Sequence, residues 1–180
     1  KPRAYLDDLF LEIDRVADLA AASRRKTVQV AWGGGTPTHL EPARIEELMA
    51  RIRARFPLAA DAEVAIEVDP RVTSFEQVEL LARLGFNRIS MGVQDFDSAV
   101  QTAVNRNQTE RETRLLYDRC REIGVASINL DLIYGTPGES VDDWRATVDG
   151  ALALEPEHVS AYALTVEAGP EPTISIGDAS

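Results

Sequence analysis

Two periodicities alternate along the chain. From Tyr5 to Ala22 the apolar residues Leu6, Leu9, Phe10, Ile13 and Val16 recur at helical spacing, with Asp7, Asp8, Glu12 and Asp14 between them, which predicts an amphipathic helix. It runs into the basic stretch Ser23-Arg24-Arg25-Lys26, a solvated end that complements the helix dipole. Val28 to Trp32 is a short apolar run closed by glycines and predicts a strand. Pro42 suits a first helical position, and Ile45, Leu48, Met49, Ile52 and Phe56 form one apolar face behind it. Glu63 to Asp69 reads as a strand stopped by Pro70.

The same alternation continues. Thr73 and Glu76 have capping-box spacing ahead of a helix bearing Phe75, Val78, Leu81 and Leu84 and ended by Gly85. Arg88 to Val93 follows as a strand. Thr109 and Glu112 repeat the box before a helix with Leu116, Cys120 and Ile123 inward, stopped at Gly124. Ser127 to Ile133 is the next strand, Ser140 and Asp143 form a third box, and Val141, Trp144, Val148 and Leu152 follow at helical spacing. Val159 to Leu164 is the last predicted strand, and beyond Gly169 no periodicity is readable. Strands alternating with helices predict an α/β fold of parallel βα repeats, in an open sheet or a barrel wall.

Parallel βα folds bind ligands at the carboxyl ends of their strands. Here those ends carry Gly33-Gly34-Gly35-Thr36, then Glu67 and Asp69, then Gln94 and Asp95, then Asp131, and finally Tyr162 and Thr165. A glycine run alone serves equally well as a tight connection, but polar groups gathered at every strand end predict one shared ligand site. With Arg106 nearby, the set suits a zwitterion with hydroxyls: an ammonium against Glu67 or a main-chain carbonyl, a carboxylate against Arg106, hydroxyls against Gln94. There is no P-loop lysine and no G-x-G-x-x-G fingerprint.

Composition narrows the classes. A net charge of -11, from 30 acidic and 19 basic residues, disfavours nucleic acid and anionic membranes as partners, and 44% hydrophobic residues suffice for a buried core. No apolar run reaches a membrane span, so a cytoplasmic setting is expected. Cys120 is the single cysteine and reads as a small core residue. His39 and His158 are far apart and read as surface or structural residues.

Five segments, Gly33 to Thr38, Glu67 to Arg71, Met91 to Phe96, Val104-Asn105-Arg106 and Asp131 to Gly135, stand in the order and spacing of the radical S-adenosylmethionine enzymes of coproporphyrinogen metabolism. The chain resembles that family over roughly residues 5 to 168. The resemblance implies a partial, TIM-like barrel that binds S-adenosylmethionine and a [4Fe-4S] cluster. Cleavage of the sulfonium would give a 5′-deoxyadenosyl radical, and hydrogen abstraction with loss of CO2 would convert coproporphyrinogen III propionates to the vinyl groups of protoporphyrinogen IX. Carried over by motif, Gly34, Gly35, Thr36, Glu67, Gln94, Arg106 and Asp131 would contact S-adenosylmethionine. The implied partners are a tetrapyrrole substrate or heme and an electron donor for the cluster.

Two departures accompany the resemblance. The family's cluster-binding cysteine triplet, carried on a loop before the first helix, is absent, so residues 1–169 are expected to be a core fragment without catalytic or metal-ligating residues, followed by an irregular tail, 170–180. A homologue that has lost the cluster and become a binding protein is the alternative. Asp131 to Ser140 and Val159 to Val166 resemble a heme chaperone branch, which binds and delivers heme. Glu67 to Arg71, Gln94 to Phe96 and Asn105 to Gln108 favour the oxidase branch.

Overall fold

In the computed structural model, which describes residues 2–103 and 106–165, the chain opens with helix α1 (Pro2–Leu19). It continues through β1 (Thr27–Trp32), α2 (Pro42–Arg55), β2 (Leu58–Val68), α3 (Phe75–Arg83), β3 (Arg88–Gln94), α4 (Ser98–Ala103), α5 (Glu110–Glu122), β4 (Ser127–Tyr134), α6 (Val141–Leu152) and β5 (His158–Ala163). The five strands form one sheet in sequential order, and every neighbouring pair is parallel. Sequential right-handed crossovers put the connecting helices on one face, so the sheet curls into part of a barrel and its other face lines the hollow.

The sequence of β3 shows how this is encoded. Ile89, Met91 and Val93 are fully buried beneath the helices, while Arg88, Ser90, Gly92 and Gln94 alternate on the less buried inner face. The paired rows repeat the choice across strands. Trp32, Ile66, Ile89 and Ile128 share one apolar row, and Val68, Met91 and Leu130 the next. Leu48, Met49, Val78, Leu81, Leu116 and Cys120 cover these rows from the helices. Burial pushes the Cys120 thiol up to about 12, as befits a packed core residue.

Some elements depart from the expected bounds. β2 begins at Leu58, ahead of Glu63, because a register shift between Thr27 and Gln29 lets Leu58 pair with Thr27. Helix α4 carries no apolar periodicity that would predict it, since its most buried side chain with Val100 is the polar Gln101. The box ahead of α3 sits one residue later than its spacing suggested. Ser74 caps Gln77, whose side chain returns to the Ser74 N–H, while Thr73 is buried with its hydroxyl 2.7 Å from that of Thr38. The boxes at Thr109 and Ser140 are as expected. The inner face of α6 differs: Val141 and Leu152 are exposed, and Thr147 and Ala151 are buried. The tail 170–180 lies outside the described residues. Among the described residues no helix is long and apolar enough to cross a membrane.

Replacing Ser74 with Ala should lower the unfolding free energy by about 1 kcal/mol, and Ser74→Asp should retain most of it. Urea denaturation of the variants distinguishes this cap from one at Thr73, where a carboxylate would instead meet the buried Thr38 hydroxyl.

Candidate functional site

At the carboxyl end of the sheet, Gly35, Thr36, Glu67, Asp69, Arg71, Ser90, Gly92, Gln94, Arg106 and Asp131 line a cavity of about 230 Å³. Most of the residues expected at the site thus meet there. Of the residues carried over by motif only Gly34 does not line the cavity, and it acts one step back: its N–H donates to Glu67 Oε2 at 3.1 Å, while Asp95, expected at the same edge, is buried away from the cavity. Tyr162 and Thr165 do not line the cavity, and Tyr162, His39 and His158 are exposed.

The glycines have different jobs. Gly34 and Gly35 take φ of 81° and 62°, the left-handed region that disfavours other residues. Gly33 has an ordinary φ, but the Glu67 carboxylate lies where its Cβ would be, so a side chain there would have to push Glu67 aside. Glu67 therefore leans across Gly33 to hold the loop, a contact that a reading of Glu67 as a ligand partner alone had no means to include. Downstream, the Gln77 amide donates to Thr38 C=O at 2.7 Å and fastens the end of the loop to α3.

Two networks line the rest. Asp69 accepts bonds from Arg71 Nη2 at 2.6 Å and Arg106 Nη2 at 3.1 Å, so one carboxylate bridges two guanidiniums. Burial raises the Asp69 pKa, but hydrogen bonds from Arg71 and the charges of Arg106 and Arg71 outweigh it, and the net direction is downward. Arg106 Nε is buried and has no partner among the described residues. On the inner face of β4, Asp131 accepts from Ser90 Oγ and from Asn129 Nδ2, both at 2.7 Å. The Ser160 hydroxyl donates to Asn129 Oδ1 at 3.0 Å. A Cβ on Gly92 would lie 3.0 Å from Arg106 Nη2 and 3.1 Å from Gln94 Nε2, so this glycine leaves the space in which both side chains lie over β3.

Sequence reasoning had noted Asp69 but not its bridging role, and had missed Arg71, Ser90, Gly92 and Asn129. The signal for Ser90 and Gly92 was present in the polar alternation of β3. Among the described residues, no three His, Cys, Asp or Glu side chains are arranged to hold a metal ion.

A glycine loop, carboxylates and guanidiniums at the open end of a one-sided parallel βα sheet define a barrel-type small-ligand site. The chain belongs to the radical SAM superfamily, whose sequence profile matches residues 3–151. It is 45% identical over 161 residues to the oxygen-independent coproporphyrinogen III oxidase of Pseudomonas aeruginosa, covering 88% of this chain. The enzyme of that name from Escherichia coli is 44% identical over 162 residues, covering 90% of this chain. The chain spans 35% of the length of either relative. The solved structure of coproporphyrinogen III oxidase from Escherichia coli, described as a radical SAM enzyme, aligns with a TM-score of 0.86 and 43% identity over 92% of this chain and 38% of that one. Elp3 from Methanocaldococcus infernus shares the fold alone, with a TM-score of 0.69 at 18% identity over 94% of this chain and 45% of that one.

Because the native pKa of Asp69 is depressed, its ion triad stabilises the fold fully above the ordinary carboxylate value of about 4 and loses that contribution as pH falls through the native value. Asp69→Asn should therefore lower the urea midpoint clearly at pH 7, and the gap from the parent should shrink as the pH is taken below about 4.

Proposed function

We propose that this protein is an oxygen-independent coproporphyrinogen III oxidase that uses S-adenosylmethionine and a [4Fe-4S] cluster, with residues 1–169 as its radical-SAM core. The observation that carries this function is the 45% identity to an enzyme of that name across 88% of the chain. The cavity supports the cofactor. A zwitterion with a ribose needs donors for its carboxylate, acceptors for its ammonium and groups of both kinds for its hydroxyls. Arg106 offers its guanidinium, the loop at Gly35 and Thr36, backed by Gly34, lines the cavity, and Glu67, Gln94 and Asp131 offer side-chain oxygens.

When bound beside a reduced cluster, S-adenosylmethionine supplies a hydrogen-abstracting radical. The residues described here bind and orient. Asp69 fixes the Arg106 guanidinium, Ser90 and Asn129 fix Asp131, and Glu67 fixes the glycine loop. The described residues offer no ligand set for the cluster, and Cys120 is packed in the core. The proposed setting is the cytoplasm, with a small-molecule tetrapyrrole substrate and a separate electron donor.

The test is the full-length protein, with its cluster reconstituted under anaerobic conditions. It should form 5′-deoxyadenosine and convert coproporphyrinogen III to protoporphyrinogen IX. Cofactor cleavage with the porphyrinogen unchanged would sink the oxidase assignment, and a Soret shift with hemin in the absence of turnover would point to heme delivery instead. Arg106→Gln should weaken S-adenosylmethionine binding by about tenfold or more, the loss expected for a charge-assisted hydrogen bond.

A further inference from the structure

Gln94 is the only non-glycine cavity-lining residue with positive φ among the described residues, at 69°. The Asp95 N–H donates to Val93 C=O at 3.0 Å across it. An i to i+2 bond around a residue with φ near about +75° is the rare, strained kind of γ-turn. The turn coincides with a β-bulge: Gly92 pairs with Asp131, but Gln94 pairs with Leu132, so β3 takes two steps against one on β4. Leu132 faces the core at 0% exposure, whereas Gln94 lines the cavity. Bulge and turn together turn Gln94 toward the hollow.

Such strain persists only where surrounding contacts over-determine it. Those contacts are buried beneath the turn. The side-chain amide of Gln101, 3% exposed, donates to the carbonyls of both Val93 and Asp95, the residues flanking Gln94. Asp95, 1% exposed, accepts the Thr147 hydroxyl at 2.6 Å and the Asp97 N–H at 2.7 Å on the same oxygen, tying the turn to α6 and to the start of α4. The Gln101 carbonyl accepts the Arg106 N–H at 2.7 Å, so the same helix also anchors the backbone of the cavity's buried arginine.

We propose that Gln101 and the Asp95–Thr147 pair are positioning residues that hold Gln94 in its left-handed turn and thereby aim its amide into the cofactor cavity. None of the three needs to touch the ligand. The inference rests on the assignment of the cavity to S-adenosylmethionine for its binding arm, and on the turn alone for its structural arm.

Two measurements on the full-length protein test it. In the first, hydrogen exchange is followed at the Asp95 amide, whose bond closes the turn. Gln101→Leu should speed that exchange by about tenfold or more relative to core amides such as that of Met91, and an unchanged ratio would overturn the proposal whatever the cavity binds. In the second, the affinity for S-adenosylmethionine is measured by calorimetry in a double-mutant cycle. Thr147→Val should weaken binding about fivefold, Thr147→Ser should restore it, and Thr147→Val should have no further effect once Gln94 is Ala. Equal weakening with and without the Gln94 amide would reduce the brace to general stability and overturn its positioning role. If no variant or parent binds S-adenosylmethionine, the cofactor assignment fails, and the exchange ratio still decides whether the brace holds the turn.

Discussion

A parallel sheet with helices on only one face must solve a problem that a doubly covered sheet does not have. Its second face can be neither apolar, because it meets water and ligand, nor loosely polar, because half-buried donors and acceptors need partners. Here the inner face is made of side chains that satisfy one another: Ser90, Asn129, Asp131 and Ser160 across three strands, and Asp69 between two arginines. The apolar rows on the other side of the same strands provide the packing that holds these positions. Fold and site are thus two faces of one alternation.

That alternation explains why the architecture was legible in the sequence. Apolar runs bounded by glycine and proline gave the strands, and capping spacings at Thr109 and Ser140 gave helix starts that the structure keeps. The rule that strand ends meet gathers Gly35, Thr36, Glu67, Gln94 and Asp131, whereas Arg106, beyond α4, came in through the family resemblance. The less legible features depend on contacts between segments distant in sequence. Helix α6 buries Thr147 and Ala151 in place of Val141 and Leu152 because Thr147 bonds Asp95 and Gly150 closes onto Phe96, where a Cβ would lie 3.1 Å from the ring. Thr73 left the cap to Ser74 because Thr38 offered its hydroxyl a buried partner. Neither choice leaves a local periodic trace.

The glycine loop shows the same division of labour at smaller scale. Positive φ at Gly34 and Gly35 can be suspected from a run of glycines. The closeness of Gly33 to Glu67 cannot, because it depends on how β1 and β2 are registered, with Trp32 opposite Ile66. Three adjacent glycines thus answer to two constraints, one torsional and one steric. A substitution at Gly33 would act through Glu67, one at Gly34 through the backbone itself.

The bridging of Arg71 and Arg106 by one aspartate also sets the charge of the cavity. Its lining holds three carboxylates, Glu67, Asp69 and Asp131, against two guanidiniums, Arg71 and Arg106, which leaves one uncompensated negative charge in a partly enclosed space. A ligand carrying a sulfonium, an ammonium and a carboxylate has one net positive charge and makes the occupied cavity neutral. The same molecule without its sulfonium charge would leave the imbalance in place. Net charge alone thus favours a monocation over a neutral zwitterion of the same shape, without any side chain dedicated to the charged atom.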